Sequence, residues 1–172
     1  MDKPVSNIKL ACRFYQEPGG WERVSLNLSS NGWIKIGRRV VKDELEIEYA
    51  VESIDGLEIL LSLKSRVGFP NVEMFKKLLE CLLTDCWYID IYYCFSFRNI
   101  NVENVAKELG LHLNSNEVKR LKLGGSEILV ETYPSVGKIV VSHRVGSRDI
   151  GCIEKIYSKL FRKILINEVS QH

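Results

Sequence analysis

The side chains able to do chemistry in this sequence are few and poorly spaced for it. Ser142 and His143 stand side by side in KIVVSHRV, a hydroxyl next to a base. Neighbours on a strand point to opposite faces, so the two cannot form a nucleophile and base pair by themselves. Cys81 and His112 would meet only if the fold happened to bring them together. The five cysteines, Cys12, Cys81, Cys86, Cys94 and Cys152, are odd in number, contain no C-x-x-C and sit among apolar neighbours. That pattern reads as reduced, mostly buried thiols that behave as small hydrophobes. His112, His143 and His172 are too scattered for a metal site. The expectation is a protein with no catalytic residues, no metal and no cofactor, and with no small-molecule substrate evident.

The charged residues are more orderly. In ELEIEYAVES, Leu45, Ile47, Tyr49 and Val51 alternate with Glu44, Glu46, Glu48, Ala50 and Glu52. If the apolar set faces a core, Glu44, Glu46, Glu48 and Glu52 line the opposite face, and Asp90 and Glu131 follow by the same phase. Against this row stand Lys9, Arg13, Lys64, Arg98, Lys138 and Arg144. An alternating Glu row is first of all a solvated strand face; facing phosphates it would repel them, and facing a basic partner it would attract it. Further along, Lys155, Lys159, Arg162 and Lys163 lie opposite Ile153, Ile156, Leu160 and Ile164, the wet side of an amphipathic helix and a candidate surface for an acidic partner.

Composition narrows the class without naming a partner. With 172 residues, 45% hydrophobic and 27% charged, the chain can bury one substantial core or two small fused ones. A net charge of +2, with both signs spread along the chain, selects neither nucleic acid nor membrane. No apolar run approaches the roughly 18 residues of a membrane-spanning helix, and MDKPVSNIK lacks the apolar stretch of a signal peptide, so an intracellular protein without a membrane partner is expected.

These residues are carried by elements that recur in order. NIKLACRFY alternates Ile8, Leu10, Cys12 and Phe14 with polar neighbours and reads as a half-buried strand. WERVSLNLSS fits a helix through Trp21, Val24 and Leu28, although a strand reading of RVSLNLS fits nearly as well. WIKIGRRVV is extended, ELEIEYAVES is a strand, Asp55-Gly56 is a hairpin turn and LEILLSLKS returns antiparallel. Pro70 and Asn71 then open a helix with an apolar stripe of Val72, Phe75, Leu78, Leu79 and Leu82. The second half repeats the order: YIDIYYCFSF as strand, NVENVAKEL as helix, VKRLKL, EILVETY and KIVVSHRV as strands, and IGCIEKIYSKLFRKIL as the closing helix. Residues 1–86 and 87–172 therefore read as two copies of one unit joined at TDCW. Two such units give an α+β layer architecture, one continuous sheet with helices on one face and the other face open. A single helix gripping a curved sheet is the competing architecture.

Several segments resemble the TATA-box-binding protein family. NVENVAKELGLHLNSNEV is similar to the family's short helix and the segment after it, with Asn114 at the family's Asn. SVGKIVVS resembles its S-S-G-K-I-V-x-T turn and strand, and IEKIYSKLFRK its E-N-I-Y-x-x-L-x-x-F-R-K last helix. WERVSLNLSSNGW is similar to L-E-K-I-A-L-H-A-R-N-A-E-Y, which favours helix there. GLEILLSLKS aligns with G-K-M-V-V-T-G-A-K-S with one extra residue after Gly56. The resemblance spans nearly the whole chain.

The resemblance implies a saddle whose helices sit on the convex face and whose concave face meets the minor groove of duplex DNA, as part of transcription initiation or its regulation. Such a protein works in a nucleus if eukaryotic and in the cytoplasm if archaeal. Carried over position by position, the family's central Asn falls on Asn7 and its second-repeat counterpart on Asp90. The groove-contacting pair falls on Val140 and Ser142, and on Leu60 and Ser62. With Lys9, Arg13, Tyr92, Val118 and Tyr133 these make the implied DNA-contacting set. Lys155, Lys159, Arg162 and Lys163 fall on the convex surface that the family uses for transcription factors and polymerase-associated proteins. The family's Phe wedges fall on Val118, on Tyr133 or Pro134, and near Arg38 and Ser53. None is Phe, and unstacking a base step costs on the order of a few kcal/mol that an inserted ring helps to offset. Weak or unkinked DNA contact is therefore expected. The alternative is a protein-interaction module that holds a partner segment in the same saddle and binds no DNA.

Overall fold

The computed structural model describes residues 7–16, 20–65, 70–96, 118–123, 126–133, 137–156 and 158. Within them, strands and helices appear largely where the side-chain pattern predicts, except that WIKIGRRVV, expected as one extended segment, is two short antiparallel strands turned at Gly37 and Arg38. Strand β1 (Asn7–Phe14) is followed by helix α1 (Gly20–Ser30), the short β2 (Ile34–Ile36) and β3 (Arg39–Lys42), then β4 (Leu45–Glu52), β5 (Glu58–Ser65) and α2 (Val72–Leu82). The rest is β6 (Cys86–Ser96), β7 (Val118–Leu123), β8 (Ser126–Tyr133), β9 (Lys138–Val145) and a short helix α3 (Cys152–Ile156). The helix expected over NVENVAKEL and most of the closing helix lie outside the described residues.

Local chemistry explains the boundaries. The doubtful WERVSLNLSS segment is helical, with Trp21, Val24 and Leu28 buried along one side. It ends where Gly32 takes a positive φ of 93° that other residues rarely adopt. The Asn71 side chain caps α2, accepting from the Glu73 N–H at 2.9 Å and the Met74 N–H at 3.4 Å. In the β4–β5 hairpin, Gly56 has φ 69°. The Asp55 carboxylate there accepts from the Ser53 hydroxyl at 2.6 Å and the Leu57 N–H at 3.0 Å. Those two bonds hold the Asp55 carboxyl below its usual range.

The nine described strands form one sheet in the order β2-β3-β4-β5-β1-β6-β9-β8-β7, and every described pairing is antiparallel. Matching β1 with β6, β5 with β9, β4 with β8 and β3 with β7 makes the order read alike from either side of the β1–β6 pair, with β2 left without a counterpart among the described strands. The registers agree with that matching. Lys9 stands opposite Ser62, and Tyr92 opposite Ser142. Lys9 and Tyr92 in turn stand opposite each other. A local two-fold axis between Lys9 and Tyr92 would therefore exchange the halves.

One face of the sheet is dry. Ile8, Leu10 and Cys12 of β1, Ile59, Leu61 and Leu63 of β5, Ile89, Ile91 and Tyr93 of β6 and Ile139 and Val141 of β9 are buried in a single cluster. The buried sides of the three described helices complete it, with Leu28, Phe75, Leu79, Ile153 and Ile156. Burying each such side chain contributes about 1.5 to 3 kcal/mol, so the helices are held by this face. Lys76 of α2 also bonds Glu154 of α3 at 2.7 Å. That bond raises the lysine pKa and lowers the carboxyl. Among the described residues no helix is long and apolar enough to cross a membrane.

Candidate nucleic-acid interface

The opposite face is the candidate site, and strand alternation decides what it carries. Asn7, Lys9, Ala11 and Arg13 of β1 stand opposite Cys94, Tyr92, Asp90 and Tyr88 of β6. Lys9, Ala11 and Arg13 stand opposite Ser62, Leu60 and Glu58 of β5. On the other side Tyr92 and Cys94 stand opposite Ser142 and Val140. Leu129, Glu131 and Tyr133 continue outward, with Val118 opposite Glu131. The register thus gathers Asn7, Lys9, Arg13, Leu60, Ser62, Tyr92, Tyr133, Val140 and Ser142 on one face and aligns Val118 with them. Of the basic residues near the end of the sequence, Lys155 is exposed on α3. Lys159, Arg162 and Lys163 lie outside the described residues, as does Arg98.

The centre of this face is small and smooth, with Ala11, Leu60, Ser62, Cys94, Val140 and Ser142 around Tyr92. Burial pushes the Cys94 and Tyr92 groups up from their ordinary pKa values, so both stay protonated near neutral pH. Ser142 and His143 do point apart. His143 is buried on the helix side, its ring stacked on Tyr93 with centroids 5.6 Å apart and its Nε2 3.1 Å from the Tyr93 hydroxyl. Among the described residues no group of three His, Cys, Asp or Glu is arranged to hold a metal ion.

The Glu row differs from expectation in two respects. Register slips between Tyr49 and Val51, leaving Ala50 as an extra residue in β4. A one-residue bulge exchanges the faces of everything beyond it. Val51 therefore stands opposite Leu60 on the open face and Glu52 opposite Ile59 on the helix side. There Glu52 accepts from the Tyr49 hydroxyl at 3.2 Å and abuts Gly20 at the start of α1. Glu44 sits in the turn before β4. Only Glu46 and Glu48 remain of the row.

The second difference is that Glu46, Glu48, Glu58, Glu127 and Asp90 are paired with cations across strands, whereas Glu131 accepts from the Tyr133 hydroxyl. Arg39 meets Glu46 at 2.9 Å, Lys64 meets Glu48 at 3.6 Å and Arg13 meets Glu58 at 3.5 Å. Arg144 grips both oxygens of Asp90 at 2.9 and 3.2 Å, which raises the guanidinium pKa further. Arg120 meets Glu127 at 3.5 Å. Arg39 lies opposite Glu48, which lies opposite Ser62, while Arg120 lies opposite Leu129, which lies opposite Ser142. The Arg39–Glu46 and Arg120–Glu127 pairs therefore occupy matching places in the two halves. Arg39 and Arg120 were not foreseen as face cations. The signal was present in GRRVVKDELEIE, where a hairpin sets Arg39 near Glu46, but the phase of β3 had to be known.

Of the positions onto which the resemblance carries wedges, Arg38, Ser53 and Tyr133 are engaged otherwise, and Pro134 lies outside the described residues. Arg38 lies over the Tyr49 ring at 4.7 Å, and the Ser53 hydroxyl donates to Asp55 and accepts from the Glu58 N–H at 3.0 Å. Tyr133 is exposed and its hydroxyl donates to Glu131, the main reason its pKa is raised.

No family model and no curated protein matches this sequence. Among solved structures, the chain is similar to the ligand-free regulatory subunit of aspartate kinase from Thermus thermophilus at 12% identity, covering 91% of this chain and 93% of that one. The TM-score of 0.25 is too low for that likeness to inform the fold or the site.

Proposed function

We propose that the chain is a divergent member of the TATA-box-binding protein family, a non-enzymatic saddle of transcription initiation or its regulation that contacts duplex DNA through the open face without sharply kinking it. The observation that carries this reading is the matching of the two halves about the β1–β6 pair. It sets Leu60 with Val140, Ser62 with Ser142 and Asn7 with Asp90 on one face, away from the described helices. A duplicated surface suits a ligand that itself has approximate two-fold symmetry, as a stretch of duplex does.

Electrostatics supports the reading more than the alternating Glu residues suggest. With Glu52 turned away and Glu46, Glu48, Glu58 and Asp90 each held by a cation, the face presents paired charges instead of a bare acidic stripe. Lys9 and Lys138, both exposed, flank Cys94 near its centre and are placed to meet phosphates. Such a protein would work where the DNA is, in a nucleus or in an archaeal cytoplasm, and Lys155 would belong to its partner-facing side.

Gel-shift titration with TATA-containing and random duplexes at several salt concentrations tests this. Retarded complexes that weaken as salt rises are expected, with Lys9→Ala and Lys138→Ala lowering affinity. No complex at low salt would remove DNA from the reading and leave the open face as a surface for a protein segment.

A further inference from the structure

Aromatic side chains accumulate at the end of the central strand pair, outside the smooth centre of the face. β6 is bulged opposite the end of β1. Arg13 stands opposite Tyr88 and Phe14 opposite Cys86, so Trp87 is the extra residue. A bulge re-aims the side chain it adds. Trp87 is accordingly 63% exposed, whereas Trp21 and Trp33 are 8% and 7% exposed. Its ring stacks with that of Tyr15, also 63% exposed, at 6.5 Å between centroids and 21° between planes. Trp87 also meets Tyr88 at 5.9 Å with the planes tilted by 51°, and the Arg144 guanidinium lies 3.9 Å over the Tyr88 ring. Tyr15, Trp87, Tyr88 and Arg144 form a continuous ladder of flat groups.

We infer that this ladder is a stacking platform for an unpaired nucleic-acid strand, at the end of the open face and beyond the smooth centre read as the duplex contact. Every base has a π-face, so exposed aromatic rings take bases without regard to sequence, and a guanidinium extends such a stack. The ladder is built of rings and a guanidinium with no aliphatic anchor among its members. Two of its rings, Tyr15 and Trp87, are also largely open to solvent. Both features suit flat bases better than the side chains of a protein partner.

Charge sets how the strand is held. Arg144 is taken by Asp90 and Arg13 by Glu58, while Arg23 beside the ladder is bonded to Asp85 at 3.0 Å. Arg148 stands exposed in the turn after β9, and Asp149 in that turn accepts from the Gly146 N–H. With carboxylates beside most of these cations, stacking supplies the affinity and counterion release adds little.

Trp87 reports on itself, because the other two tryptophans are buried. Titrating the full chain with an oligothymidine of about twelve nucleotides should quench tryptophan emission, with an affinity that falls only a few-fold between 50 and 200 mM salt. Trp87→Ala should remove the quench, and Trp87→Ala or Tyr15→Ala should each weaken binding measured by oligonucleotide anisotropy by about tenfold or more. Trp87→Phe, which keeps a ring, should retain most of the affinity. Circular dichroism and binding to a blunt duplex should be unchanged in all three. Wild-type emission unaffected by the single strand, or variants that bind it as tightly as wild type, would overturn the proposal and leave the ladder as a protein contact. Because duplex binding is read separately, failure here is distinguishable from failure of the open-face reading.

Discussion

Protonation of His143 should control the acid stability of this fold. The imidazole is buried against Tyr93, whose ring meets Phe75 of α2 edge-on at 6.1 Å. Burial is the leading cause that lowers its pKa from the ordinary 6.5 to about 4, while the carboxylates of Asp149 and Asp90 favour the proton too weakly to reverse this. The unfolded chain therefore takes up the proton near pH 6.5 and the folded chain only near pH 4. Between those values the unfolded state binds more protons, so stability is complete above about pH 6.5 and is lost as the pH falls toward 4. At about 1.4 kcal/mol per pH unit, roughly 3 kcal/mol is at stake, of which about 2.5 kcal/mol should be gone between pH 7.5 and pH 4.5. For a chain of this length that corresponds to a fall in Tm of roughly 5 to 10 °C from this group alone. Urea unfolding of the wild type and of His143→Gln at both pH values isolates the effect, since Gln can still bond the Tyr93 hydroxyl and cannot take a proton. The variant should lose about 2.5 kcal/mol less than the wild type on acidification, whatever its stability at pH 7.5. Parallel losses in the two proteins would refute the argument and assign acid sensitivity to the carboxylates.

Three other perturbations read different links in the argument. Asn71→Ala should cost about 1 kcal/mol of stability by denaturant unfolding, because the Glu73 and Met74 N–H groups lose the side chain that caps them. Replacing Glu46 and Glu48 together with Gln should free Arg39 and Lys64, leave the fold intact and tighten non-specific duplex binding several-fold at low salt by gel shift. Unchanged affinity in that variant would put this part of the face outside the DNA path. Energy transfer across an end-labelled bound duplex should report a bend well below the roughly 80° known for the TATA-binding protein itself, because Arg38 and Ser53 are held by Tyr49 and Asp55 and cannot act as wedges.

What was legible in the sequence is what depends on near neighbours along the chain. Alternation of Ile8, Leu10, Cys12 and Phe14, and of Ile59, Leu61 and Leu63, follows from the two-residue period of a strand, and these residues are buried as that period requires. The Asn71 cap, the Asp55-Gly56 hairpin and the opposite orientations of Ser142 and His143 are likewise local. The α1 segment was ambiguous because its apolar residues satisfy both periods in part, and packing of Trp21, Val24 and Leu28 on the sheet resolved it. Tertiary pairing decided the rest. The bulge at Ala50 shows only in the pairing of β4 with β5, and it sends Glu52 to the helix side. The same holds for the bulge that expels Trp87. Whether Glu46, Glu48 and Asp90 are bare or neutralised depended on which strands lie beside them, and those strands are distant in sequence for Asp90 and Arg144. A period tells which side chains share a face of one strand, but only the register between strands tells which charges meet on that face.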